Sequence, residues 1–410
     1  MTQTLSYRND AFIISEQNER YKERPPISQE QFSVIMIEIC KKQIVDYSLT
    51  INNNQVLESI EFVNLLNIKK LKLYDCRNVI PGLSNNQIKD LTIIACNLES
   101  LNRIQLNSLE VLTLGDYQSY SKLSLQNIVN YSKLRELHMV GYTIDVAPLL
   151  QMEQVSVLDI KDCYIINTQL ISFLKSLEEL VITDCMHKIS SKTYNSQNIV
   201  TFQNLTRLKR LNLSQNSLQT QDPLLNNIKF QISSIKSCSK LNQVRIYGYH
   251  EDLSTIQYLR QLEVLELNSC NLSNIDFLRP LQNLQELYLN DNQIVYVNAV
   301  EQLQKVTRLN ICNNIVVYTK FYNIRFNLLN IGFQKQPTKQ QLKQANIQRD
   351  INSPTLLLNS MKIQRRNITK KISIIKQKEN VLLRKFTYNQ ISFTSKVVQL
   401  FQMMTNDNDY

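Results

Sequence analysis

Near the C-terminal end of its regular part the chain reads Leu284-Gln285-Glu286-Leu287-Tyr288-Leu289-Asn290-Asp291-Asn292-Gln293-Ile294. Leucines follow one another at intervals of three and two, an asparagine stands three residues on, and an apolar residue closes the phrase. Ile88 to Leu98 repeats it with Cys96 in the asparagine's place. The shared template is L-x-x-L-x-L-x-x-N/C-x-L. Its central pairs are Leu49/Ile51, Leu71/Leu73, Leu91/Ile93, Leu112/Leu114, Leu137/Met139, Leu158/Ile160, Leu180/Ile182, Leu211/Leu213, Val244/Ile246, Leu265/Leu267, Leu287/Leu289 and Leu309/Ile311. All 24 positions are apolar in a chain that is 43% hydrophobic, an outcome expected about once in a billion by chance. Alternation at each pair predicts a strand with one face inward.

At these residues the chain resembles the leucine-rich repeat family. Successive pairs stand 20 to 22 residues apart in most of the array. That spacing looks like the phosphatase-regulator (SDS22-like) class of intracellular repeats. The resemblance implies an α/β repeat solenoid, a horseshoe with a parallel sheet on its concave face. Apolar residues at every third position from Ile275 to Leu287 predict a 3₁₀-like segment leading into each strand. Position nine of the template, which in the family bonds backbone between turns, holds Asn54, Asn216, Asn292, Asn314, five of the eight cysteines, and Tyr117, Tyr142 and Tyr249. Cysteine there reads as a small buried residue, since no C-x-x-C spacing exists. The tyrosines are too large for an inner slot, so the repeats around Leu112, Leu137 and Val244 are expected to be irregular.

The repeat domain is expected over 46–333, with insertions near 186–204 and 217–240. The first is Ser/Asn/Thr-rich and reads as loop. In the second, Asp222-Pro223 predicts a helix start before Leu225, Ile228, Ile232 and Ile235. Residues 1–27 are polar and expected to be loose. Ser28 followed by Phe32, Ile35, Met36 and Ile39 predicts a cap helix over 28–45. Phe326 to Gly332 resembles a shortened closing cap, 334–353 reads as a linker, and Pro337 to Pro354 is similar to a junction in large leucine-rich families of diplomonad protists.

Composition narrows function. The 410 residues carry 46 Lys and Arg against 35 Asp and Glu, a formal +11, with five Gly and three His. So few glycines and histidines argue against phosphate-cradling loops, metal sites and acid/base catalysis; neither enzyme activity nor a cofactor is expected. Without an apolar leader or spanning segment the protein is expected to be soluble, cytoplasmic or nuclear, with reduced thiols. Residues 335–410 hold 14 basic against four acidic residues, so the tail carries +10 and the remainder +1. Apolar residues at heptad spacing from Leu358 to Met403 predict a basic helical, coiled-coil-like tail over 354–410.

Template positions three, five and seven face outward and name the candidate docking residues: Lys70, Lys72, Tyr74, Asp90, Glu136, His138, Asp159, Lys161, Glu179, Arg210, Arg245, Tyr247, Glu266, Glu286, Tyr288 and Arg308. Six acids balance six lysines and arginines, which favours a protein partner over a phosphate-rich ligand. Thr113, His138 and Asp159 fall on neighbouring strands and mimic a triad, but a flat sheet face offers no oxyanion site. The tail offers homodimerisation through its apolar seam. It also offers nucleic acid or an acidic surface contacts through Arg365, Arg366, Lys370, Lys371, Lys376, Lys378, Arg384 and Lys385. The expected function is therefore a scaffold or adaptor that docks a protein on the concave face. The alternative implied by the resemblance is a regulatory subunit of a Ser/Thr phosphatase.

Overall fold

The computed structural model describes residues 2–8, 11–17, 47–52, 63–64, 68–74, 83–85, 87–95, 105–116, 120–188, 199–214, 225–316, 327–332 and 334. All fall in the first of the chain's two units, Met1–Pro337, rather than in Thr338–Tyr410. The expected cap helix over 28–45, the linker from 335 and the whole basic tail lie outside the described residues.

Fifteen strands form one sheet in which every pairing is parallel except the first. The register joins the template positions without a slip: Leu71 pairs Leu91, Leu91 pairs Leu112, and the line runs on through Leu137, Leu158, Leu180, Leu211, Val244, Leu265, Leu287 and Leu309. Each inward leucine therefore stacks on its equivalent, and the core is one cluster from Leu49 to Ile311. Each coil returns through a short outer segment. Thr143–Asp145, Tyr164–Ile166 and Met186–Lys188 belong to a second, five-stranded sheet. Ala147–Gln151, Thr168–Phe173, Ser254–Tyr258 and Val300–Gln302 are 3₁₀ turns. Three-residue apolar spacing suits that tighter winding, and no α-helix occurs among the described residues.

Several expectations are corrected. Thr2–Arg8 and Ala11–Gln17, expected to be loose, pair antiparallel, and the second adds parallel to Tyr47–Asn52 with Phe12 opposite Leu49 and Ile14 opposite Ile51. Their Thr, Tyr, Phe and Ile content and the intervening Asn9 and Asp10 favour a hairpin over a disordered leader. Inside the first expected loop lie strands Met186–Lys188 and Ile199–Thr201. The second insertion is not a helix from Pro223: Leu225–Asn227 and Lys229–Gln231 are strands, followed by a 3₁₀ turn over Ile232–Ser237. There β-pairing with Met186–Lys188 and Ile199–Thr201 outweighs the helical spacing of the isoleucines.

The expected end is corrected as well. Leu328–Asn330 pairs parallel with Arg308–Asn310, making a thirteenth rung counted from Tyr47. Its Gln334 occupies position nine: Nε2 donates to the carbonyls of Ile311 and Ile331 at 3.0 and 3.1 Å, and Oε1 accepts from the Val316 amide at 3.1 Å.

The repeats with a position-nine tyrosine are regular in their strands: Glu136–Val140 and Gln243–Tyr247 keep five residues in register. Tyr142 and Tyr249 are buried in the core cluster, and the Tyr249 hydroxyl donates to the Phe230 carbonyl at 2.5 Å. Position eight takes a left-handed backbone at Gly141 (φ 80°) and Gly248 (φ 71°), as it does at Ala95, Asp162, Asp184, Ser269, Asp291 and Asn313. Gly, Asp and Asn are the residues that reach that region most cheaply.

Candidate functional site

The solvent face of the long sheet is built by the odd template positions, because inward leucines fix the alternate side chains outward. Burial follows this alternation: Leu71 and Leu73 are fully buried, Lys72 and Tyr74 half-buried, Lys70 exposed. The structure places the sixteen candidate residues on this face and reveals how they use their charge. Asp90 faces Lys70 at 3.5 Å, Arg245 Nε lies 2.9 Å from Glu266, and Arg308 Nη1 lies 2.7 Å from Glu286. Arg210 bonds Glu179 through two nitrogens. Tyr288 donates its hydroxyl to Glu286 at 2.9 Å.

His138 sits at the centre. Its Nδ1 is 3.2 Å from Asp159 Oδ2 and its Nε2 is 3.6 Å from Glu136 Oε2, while Lys161 Nζ reaches the same Asp159 oxygen at 2.8 Å. The hydrogen bond to Asp159 raises the imidazole pKa above its ordinary value against the opposing effect of burial. Burial pushes Asp159 upward, but His138 and Lys161 together hold it below the usual carboxylate range. Nδ1 is held by Asp159, and among the described residues no hydrogen bond joins the imidazole to Thr113 on the adjacent strand. His138 and Asp159 instead belong to an ion-pair cluster with Glu136 and Lys161.

All six carboxylates on the face are therefore met by a neighbouring base of the same chain. Of the six lysines and arginines, Lys72 makes no ion pair. Tyr247 is 47% exposed and Tyr258 on an outer turn 61%. Sequence reasoning passed over several apolar members of the face, among them Ile94, Val111, Val140 and Val157, each half-buried. Their odd template positions were the available signal.

Behind the face the position-nine ladder is structural. Asn292 Nδ2 donates to the carbonyls of Leu267, Leu289 and Asn290, and its Oδ1 accepts the amides of Cys270 and Leu272. Cys163 and Cys270 imitate it, each directing its thiol at a carbonyl one rung back, at 3.8 and 3.5 Å. Burial pushes the Cys270 thiol up to about 11, so it stays protonated at neutral pH. Among the described residues no group of three or more His, Cys, Asp and Glu can hold a metal ion. No described helix is long and apolar enough to cross a membrane. The tail residues Arg365, Arg366, Lys370, Lys371, Lys376, Lys378, Arg384 and Lys385 lie outside the described residues.

An internalin from Listeria monocytogenes superposes on this chain with a TM-score of 0.50 at 17% identity, covering 74% of this chain and 89% of the internalin. The chain has the leucine-rich repeat fold. Two other leucine-rich repeat structures are similar at lower scores. One is a Leptospira interrogans protein (TM-score 0.46, 18% identity, 74% of this chain and 70% of that one). The other is the ectodomain of the Arabidopsis thaliana receptor kinase GASSHO1/SCHENGEN3, solved in complex with CASPARIAN STRIP INTEGRITY FACTOR 2 (0.44, 15%, 71% and 38%). No protein-family model matches the sequence, and a search of curated proteins finds no relative. On the leucine-rich repeat fold the ladder face is the concave one.

Proposed function

We propose that the protein is an interaction scaffold that docks a protein partner on its concave face. The carrying observation is the ladder itself, thirteen rungs of parallel strand whose outward carboxylates are each met by a base of the same chain. At about 4.8 Å per strand it spans roughly 55–60 Å, a length suited to a folded domain or an extended segment. Pre-paired, ordered charges bring specificity at little desolvation cost beyond what folding already met, and exposed Tyr247 supplies an aromatic anchor. A surface balanced in this way does not select for phosphate-rich ligands.

The alternative reading, a regulatory subunit of a Ser/Thr phosphatase, rests on the 21- to 22-residue spacing alone. Self-association and binding of nucleic acid or an acidic surface rest on the composition of the tail.

Cross-linking mass spectrometry of a captured complex tests the docking face. Cross-links are expected from Lys70, Lys72 and Lys161, and Tyr247→Ala is expected to weaken binding about tenfold. Cross-links confined to Lys122, Lys188 and Lys236, with no effect of Tyr247→Ala, would place the partner elsewhere.

A further inference from the structure

Charge is sorted between the two edges of the ladder. Each repeat enters its strand around the first template leucine, as at Leu134, Leu208 and Leu241. The two residues before that leucine and the one after it are exposed or half-buried throughout. Among the described residues these positions hold ten lysines and arginines against four glutamates, a balance of +6. Positions eight to twelve, where the chain leaves the strand, hold seven acids against one lysine, Lys188. The leaving edge has a local reason for its acids. Aspartate suits the left-handed position eight, and Asp162, Asp145 and Asp291 accept hydrogen bonds from Tyr120, Asn167 and Asn313. No residue at the entering positions has a left-handed backbone, so local conformation does not account for the bases there.

The entering edge is an ordered rail. Position two of each repeat donates its amide to the position-two carbonyl one rung back, unbroken from Lys89 to Thr307 at 2.7–2.9 Å. Part of its charge is met internally: Lys89 lies 2.8 Å from Glu110, and Arg207 and Lys209 share Glu178 at 3.5 and 2.7 Å. Lys133, Arg135, Lys175, Lys240, Arg260 and Lys305 are exposed and make no ion pair among the described residues. They run from the fifth rung to the twelfth, roughly 34 Å at about 4.8 Å per rung. Position three of the concave face follows directly, with Arg210 and Arg308 exposed in their turn. The rail therefore borders the docking surface along its length.

We infer that an acidic stretch of the protein docked on the concave face lies along the entering edge, its carboxylates against the unpaired bases between Lys133 and Lys305. This rests on the concave docking reading and deepens it. The concave face, with each carboxylate already matched, offers a partner little net charge to align with, whereas the edge attracts acid and repels base. A rail of this length accommodates about ten extended residues at roughly 3.3 Å each. Nucleic acid fits it less well, because Glu153 and Glu263 interrupt a phosphate track and no aromatic side chain occurs at these positions among the described residues. Phe173 and Tyr258, exposed on the preceding turns, stand three rungs apart, too far for successive bases to stack on both.

The test is lysine-acetylation footprinting of the full chain titrated with decaglutamate. Lys133, Lys175, Lys240 and Lys305 are expected to be shielded about threefold, and Lys122, Lys188 and Lys236 not at all. In a variant combining Lys133→Glu, Arg135→Glu, Lys240→Glu and Arg260→Glu, the peptide concentration that half-protects Lys175 and Lys305 should rise about tenfold. The circular dichroism spectrum should be unchanged. If that variant does not fold, Lys133→Gln with Lys240→Gln is read in its place, with a rise of about threefold expected. No shielding, equal shielding of both sets of lysines, or an unshifted midpoint would each overturn the proposal. So would stronger shielding of the edge by an oligouridylate of equal charge, which assigns the edge to nucleic acid. A dimer in sedimentation that the charge reversal disperses would show a second copy as the occupant instead. The captured partner separates this inference from the docking reading. If the complex is lost on Tyr247→Ala but kept by the edge variant, concave docking stands and the edge assignment fails; if it survives both changes, both fail.

Discussion

His138 shows how a single side chain ties sequence to pH response. It faces Glu136 and Asp159, with Lys161 sharing the Asp159 oxygen. Its folded pKa is raised, so its contribution to stability is complete below the unfolded value near 6.5 and is lost as pH rises through the folded value. Asp159 is depressed, so its contribution is present above the ordinary carboxylate value and is lost as pH falls through the folded one. His138→Gln is expected to flatten the alkaline-side fall in Tm between about pH 6 and 8, with an effect of about 1 kcal/mol or less for a partly exposed pair. Thermal melts of both proteins across that range check it; parallel profiles would refute it. The pairing itself was legible in the sequence, since both residues occupy position five of consecutive repeats. The approach of Glu136 to the ring was not, because it comes from within the same strand and only rotamers reveal that.

At the level of the element, the template's leucines announced strand and register, while the turn that follows was overlooked. Position eight is left-handed at Ala95, Gly141, Asp162, Asp184, Gly248, Ser269, Asp291 and Asn313, though not at Asp116. The common preference for Gly, Asp and Asn was visible but lay between two louder signals. The hairpin at 2–17 escaped notice for a different reason: its alternation is brief, and only pairing with Tyr47–Asn52 gives it a partner. Gly141→Ala is a sharp test of the turn. A Cβ there would stand 1.6 Å from the Asp116 carbonyl oxygen on a backbone with φ 80°, so the loss is expected to be about 3 kcal/mol or more. Gly115→Ala, whose Cβ meets a side chain that can yield, should cost about 1 kcal/mol or less. Urea denaturation of the two variants measures the difference, and equal midpoints would rule out the strained turn.

Across the whole molecule, stability draws on one-dimensional stacking. The +11 of the chain resolves into a near-neutral repeat array and a basic tail, and on the ladder face carboxylates pair with bases chiefly across adjacent rungs. Shape and apolar burial therefore dominate the array. Each inward residue touches chiefly its equivalents on the two adjacent rungs, so a defect should spread along the stack rather than through a globular centre. Leu180 is fully buried between Leu158 and Leu211. Leu180→Ala is expected to cost about 2–5 kcal/mol locally. Hydrogen exchange should accelerate in Val157–Lys161, Glu179–Thr183 and Arg210–Ser214, with the amides of Val264–Asn268 and Arg308–Asn310 changed least. Uniform acceleration from the first rung to the last would mean that the array unfolds only as one cooperative unit. The concave ladder would then have to be treated as a single rigid body, without rungs that can adjust separately to a partner.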